Sequence, residues 1–178
     1  IQAHYQRGGI ITISWHPHNP VTAGTAWEIE GNAVAASLPG GKENAKMKLW
    51  LQRTVNFMKS LKTTNGEAIP IIFRPWHEMN GDWFWWGTKS CTPQQYIQLF
   101  KMTVDYFRQA KLTHIVWSYS PNASSDDTPE RFFTFYPGDK YVDLLGVDLY
   151  QHTTKEDFIK QGQQEMGIMH DYAEKHNK

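Results

Sequence analysis

The chain has a single cysteine, Cys91, which excludes an internal disulfide framework and says little about redox compartment. It has no excess of charge either. Eighteen Lys and Arg balance eighteen Asp and Glu, and the pI is near 7.3, so nothing favours nucleic acid or an anionic membrane as partner. No run approaches the ~18 apolar residues that a membrane span needs. No signal peptide, internal repeat, low-complexity tract or linker interrupts the chain, so residues 1–178 are expected to form one domain. The start, IQAHYQRGG, has no initiator Met, as in an excised or processed segment of a longer product.

What the chain has is aromatic surface. Phe, Trp and Tyr make up 14% of it, with eight tryptophans and eight tyrosines. Such side chains are costly to expose unless a ligand covers them. Four tryptophans (Trp76, Trp83, Trp85 and Trp86) crowd around His77 and Glu78 in the stretch IIFRPWHEMNGDWFWWG.

Four apolar, β-branched or aromatic runs read as strands: Gly9–Trp15, Ile69–Pro75, His114–Ser120 and Leu144–Tyr150. Their continuous hydrophobicity predicts parallel strands covered on both faces. Helical periodicity lies between them. Over Glu43–Lys62 the apolar positions Met47, Trp50, Leu51, Val55, Met58 and Leu61 recur at steps of three and four. Thr92, Pro93 and Gln95 spell an N-cap, a first helical turn and a capping box. That helix should bury Tyr96, Leu99, Phe100, Thr103, Phe107 and Ala110. A short helix near Pro129–Phe135 and a last one from about Glu156, capped by Thr154, complete a β-α-β-α-β-α-β-α order. The fold class is α/β with a parallel sheet and right-handed crossovers.

The strand ends carry the polar groups: His16 and His18, His77 and Glu78, Ser118, Ser120 and Asn122, then Asp148 and Tyr150. Long loops follow the first two strands, where α/β proteins place their sites. Glu78, flanked by Trp76, His77 and Trp83, should be partly desolvated, which raises its pKa and suits a general acid. The bland alternative is a structural carboxylate that caps a loop amide or pairs with Arg74. His77 reads as a proton shuttle, a sugar contact or a satisfied histidine that positions Glu78. His16 and His18 form an HxH pair, a metal-ligand spacing, although Pro17 between them favours a rigid turn. Asp148 reads as a second catalytic carboxylate or, preferably, as a group orienting others from behind. Trp50 belongs to the helix stripe, and Trp117, inside a strand, is ambiguous. Trp83, Trp85 and Trp86 lie in a loop where no pattern buries all three. Flat indoles beside a carboxylate suit a pyranose, whose C–H face stacks on them.

The segment RPWHEMNGDWFWWG closely resembles the acid/base segment of glycoside hydrolase family 26, dominated by β-mannanases on a (β/α)8 TIM barrel. GGIITISWHPHNP, IVWSYSPN and YPGDKYVDLLGVDLY resemble the family's third-, fifth- and sixth-strand segments. The resemblance covers nearly the whole chain, which would supply about strands 3–6. It implies retaining hydrolysis of β-1,4-mannosidic bonds in mannan, glucomannan or galactomannan, without a cofactor or metal. Glu78 would be the general acid/base. His77 would stand where related barrels carry an asparagine, contacting the sugar. His16, Trp83 and Tyr150 would line the same subsite, Trp27 in the first long loop would offer a further platform, and Arg74 and Asp148 would support from behind.

One feature departs from the family. Its nucleophile is a glutamate ending the seventh strand, and this chain stops in the helix before that strand. Retaining glycosidases hold two carboxyls ~5–5.5 Å apart. Glu156 and Glu165 both fall on the last helix, so the nucleophile and the rest of the barrel are expected outside these residues. Two rival readings stay open: a non-catalytic carbohydrate-binding derivative, and a metal-dependent hydrolase using His16, His18 and His77. A polymeric substrate implies a secreted, cell-surface or periplasmic address.

Overall fold

The computed structural model describes all residues, 1–178. Four parallel strands, β1 (Thr12–Trp15), β2 (Ile71–Pro75), β3 (Ile115–Tyr119) and β4 (Leu144–Leu145), lie in sequence order. Helices α3 (Asn44–Ser60) and α4 (Pro93–Gln109) connect β1 to β2 and β2 to β3. The short α5 (Pro129–Phe132) precedes β4, and α6 (Lys155–His176) follows it. No helix is long and apolar enough to cross a membrane.

The α4 start forms as its sequence predicts. Thr92 accepts from the Gln95 backbone N–H at 3.2 Å, and the Gln95 side chain accepts from the Thr92 N–H at 3.0 Å. Its buried stripe is Tyr96, Leu99, Phe100, Thr103, Val104 and Phe107, whereas Ala110 is only the C-cap. α3 buries Met47, Leu51, Val55 and Met58, and its Trp50 is half-buried at the edge of the core. Aromatic rings join the layers: Phe73 of β2 stacks on Phe107 of α4 at 5.5 Å, and Phe107 meets Trp117 of β3 edge-on at 5.2 Å. Trp117 is thus core, 4% exposed.

Two expectations need correction. Only β2 and β3 are covered on both faces; β1 alternates exposed and half-buried positions, and β4 is exposed at Leu144. As the outer strands of the sheet, they pair on one side only. The fourth strand is also shorter than the run Leu144–Tyr150 suggested. Beyond Leu145 the chain still follows β3, with Gly146 N–H donating to Tyr119 O (2.8 Å) and Asp148 N–H to Pro121 O (2.9 Å). A single bridge, Asn122 to Asp148, continues the pairing without a regular ladder. Two short helices, α1 (Gln2–Gln6) and α2 (Ala33–Ser37), had no pattern long enough to announce them.

Candidate active site

At the C-terminal end of β2 the backbone turns sharply. Trp76 and Glu78 both adopt positive φ, 55° and 54°, a conformation that costs a non-glycine residue about 1–3 kcal/mol and persists only where the surroundings impose it. Here they do. The Trp76 carbonyl accepts from Tyr96 OH at 2.8 Å, and the His77 carbonyl from Trp86 Nε1 at 2.9 Å. The Glu78 N–H donates to Ser120 O at 2.8 Å, and the Glu78 carbonyl accepts from Gly81 N–H at 3.0 Å. Asn80 then ties this turn to the loop after β3: its amide donates to Asn122 O (2.6 Å) and its oxygen accepts from Asn122 N–H (2.8 Å).

The tryptophans divide by role, which corrects the reading of them as one sugar platform. Trp76, Trp85 and Trp86 are fully buried. Their indole N–H groups bond Thr103 Oγ1, Pro17 O and His77 O at 2.9–3.0 Å. They are the scaffold beneath the turn. Phe84 lies against them, stacked on Trp86 at 4.4 Å and edge-on to His77 and His16. Trp83 alone of this group reaches the rim, half-buried, with Nε1 donating to Glu78 Oε2 at 2.9 Å. Its ring covers Gly81, where a Cβ would lie 2.4 Å from the indole, so that position needs glycine for space.

Glu78 is 7% exposed. Burial raises its pKa, and Asp148's charge adds to the rise; the Trp83 bond, Arg74's charge and the Tyr150 hydroxyl oppose it. Arg74 does not pair with Glu78: its Nη1 binds Asp148 Oδ2 at 2.5 Å. Ser120 Oγ donates to the same oxygen at 3.0 Å. Burial still raises Asp148's pKa against these two partners. His77 is pushed down to about 3 by burial, then by the charges of Arg74 and His16. That shift favours the neutral ring and a sugar contact or positioning role over a proton shuttle. Its Nδ1 is buried without a partner. His16 packs against it with ring centroids 4.4 Å apart, its own pKa lowered by burial and by Arg74.

The model of the glycosyl hydrolase family 26 matches residues 1–163. The chain belongs to that family. It is 37% identical over 154 residues to the mannan endo-1,4-beta-mannosidase of Bifidobacterium adolescentis, covering 85% of this chain and 15% of that protein. To the Bacillus subtilis enzyme of the same name it is 32% identical over 164 residues, covering 84% and 42%. A solved β-mannanase of this family from Bacteroides ovatus superposes with a TM-score of 0.94 at 41% identity, covering 99% of this chain and 51% of that one. The chain thus spans about half or less of these relatives, and its four-stranded sheet is part of a (β/α)8 barrel.

Within this family 26 fold, His16, His77, Glu78, Trp83, Asp148 and Arg74 gather at one rim. Tyr150 joins them from beyond β4; it is 57% exposed, its hydroxyl directed at Glu78. Trp27, 61% exposed, tilts against Phe84 with ring centroids 4.7 Å apart and so connects to the same cluster. Its loop is held by the buried Asn19, which donates to Glu28 O and Glu30 O and accepts from Val21 and Thr22. His18 does not join: its Nδ1 pairs with Gly24 O at 2.8 Å. The three-histidine constellation is not assembled, and no three His, Cys, Asp or Glu side chains cluster as metal ligands. Sequence reasoning missed the fastenings: Tyr96, Thr103, Ser120 and the Asn80–Asn122 lock. Tyr96 and Thr103 had left a signal, as the two hydroxyls on an otherwise apolar helical stripe.

Proposed function

We propose that this chain is the acid/base portion of an endo-β-1,4-mannanase that cleaves mannan, glucomannan or galactomannan with retention of configuration. The observation that carries it is Glu78: a buried carboxyl with a raised pKa, at a strand end, bonded by a rim tryptophan and approached by a tyrosine. Membership of the family and relatives named mannan endo-1,4-beta-mannosidases supply the substrate class.

Glu78 protonates the departing glycosidic oxygen while a glutamate outside these 178 residues attacks the anomeric carbon. Glu78, now ionised, then takes a proton from the water that releases the sugar. Arg74 and Ser120 bond Asp148 Oδ2, which supports a role in holding Arg74 in place rather than that of the nucleophile. His77 and His16 offer ring nitrogens to sugar hydroxyls, and Trp83, Tyr150 and Trp27 offer flat faces. The outer edges of β1 and β4 receive the rest of the barrel, from the same polypeptide or another chain. An apolar hollow of ≈ 290 Å³ beside Leu144, Leu145, Met166 and Met169 marks one such seat. A polymer outside the cell as substrate places the enzyme there too, secreted, on the cell surface or in the periplasm.

The test is Glu78→Ala in the complete polypeptide. Turnover of mannan should fall about 10²–10⁴-fold, and the first step on an aryl mannoside with a good leaving group far less. Equal losses on both substrates would make Glu78 structural. Mannan binding by the unaltered protein without release of reducing ends would leave a carbohydrate-binding derivative. Preferential turnover of β-1,4-glucan would move the substrate class.

A further inference from the structure

Glu78 lies beyond the last rung of β2, yet it does not swing free. β2 pairs with β3 in a register that sets Phe73 opposite Trp117. Five residues further along, a straight strand would bring residue 78 opposite Asn122. The positive φ at Trp76 and Glu78 takes the backbone out of that line. Beyond this turn, the backbone bond from Glu78 N–H to Ser120 O, 2.8 Å, still joins the two strand ends.

Asn80 supplies the rung that the backbone has given up. Its amide nitrogen donates to Asn122 O at 2.6 Å, and its oxygen accepts from Asn122 N–H at 2.8 Å. A carboxamide carries donor and acceptor side by side, as a peptide group does. It therefore completes the ladder at the place Glu78 has left. The partner is backbone alone, because the Asn122 side chain donates elsewhere, to Ala123 O at 3.1 Å. From Asn122 the connection runs on to the next strand end. Asn122 is bridged to Asp148, Ala123 N–H donates to Asp148 O, and Asp148 N–H donates to Pro121 O, both at 2.9 Å. Asn80 also lies within the short loop that leads from Glu78 to Trp83, whose indole bonds the Glu78 carboxyl at 2.9 Å. The two ends of that loop meet at the acid, and its middle is fastened to the neighbouring strand end.

We propose that Asn80 is a positioning residue for the acid. Its carboxamide, in place of a strand rung, sets where the Glu78 carboxyl lies relative to the strand end that carries Asp148 and Tyr150. It touches no substrate and acts only through Glu78. This rests on the mannanase reading and deepens it. Proton delivery tolerates little misplacement, since an error of about 1 Å costs up to about 10²-fold in rate. A bond that breaks without protonation is indifferent to the same error.

The test is Asn80→Ala in the complete polypeptide. Asn80→Ser, which keeps a hydroxyl, answers the same comparison if alanine prevents folding. On mannan, kcat/KM should fall about 10–10²-fold. On a dinitrophenyl β-mannoside, whose leaving group departs unprotonated, kcat/KM should change by less than about twofold. In a Glu78→Ala background the substitution should cost nothing further, because no acid is left to aim. Equal losses on both substrates, or a further loss in the Glu78→Ala background, would make Asn80 structural and overturn the proposal while the mannanase reading stands. Unchanged turnover of mannan would overturn it in the same way. Failure of the unsubstituted protein to hydrolyse either substrate would overturn the mannanase reading and, with it, this one.

Discussion

The two ends of the rim are held very differently. At the end of β2, Glu78 sits on a backbone turn whose carbonyls and N–H groups are bonded by Tyr96, Trp86, Ser120 and Gly81, above three tryptophans with no exposure at all. At the end of β4 the regular ladder is two residues long, and Tyr150 projects with more than half its surface open. The first end is finished by this chain's own packing. The second is an outer strand whose remaining neighbour is not among these residues. Glu78 is held by its own surroundings; Tyr150 is placed but not enclosed.

Substitution at the two ends breaks this comparison most severely through stability. Trp76→Ala removes a buried indole, its bond to Thr103 and the packing under a positive-φ turn. A loss of about 3–5 kcal/mol is expected by denaturant unfolding of the complete protein. Tyr150→Ala should stay within about 0.5 kcal/mol of the unaltered protein, as exposed positions do. Comparable losses would mean that both ends are packed alike.

A smaller effect sharpens the account at Glu78. Trp83→Phe keeps the ring and deletes the bond to Oε2, so kcat/KM should fall about tenfold. That bond holds the Glu78 pKa down against burial. Its removal raises the pKa further, and the alkaline limb of the pH–rate profile moves to higher pH. An unmoved limb would show that Trp83 only stacks on sugar.

The smallest effect concerns Glu165, buried where α6 meets the loop after β3, its Oε1 accepting from Ser124 N–H at 3.2 Å. Burial, followed by a hydrogen bond and charge from Asp127, pushes Glu165 up to about 8 from the ordinary 4.5. Folding therefore favours its protonated form. The stability it contributes is complete below about pH 4.5 and is lost as pH rises through about 8. Glu165→Gln keeps a hydrogen-bonding amide and abolishes the titration, so its Tm should decline less than the parent's between those values. Parallel Tm–pH curves would place the proton elsewhere.

Much of this was legible in the residues. The strand order, the α4 cap with Thr92, Pro93 and Gln95, and the segment around Glu78 announced an α/β barrel piece of this family. The tryptophans misled because loop residues carry no period from which burial can be read. Trp85 and Trp86 are buried by long-range packing and by indole bonds to carbonyls of Pro17 and His77, partners that sequence spacing cannot supply. The positive φ at Trp76 and Glu78 was hidden for a related reason, since neither residue favours it and only the surrounding fold imposes it. Helix α2, five residues long, is too short for a periodic signal.

The central claim is that burial keeps the Glu78 carboxyl ready to donate a proton. A ¹³C NMR titration of that carboxyl in the complete protein tests it most directly, with Glu78→Gln to assign the resonance. The account predicts an apparent pKa above the ordinary glutamate value of 4.5. A value at or below 4.5 would contradict it and leave Glu78 an ionised structural group.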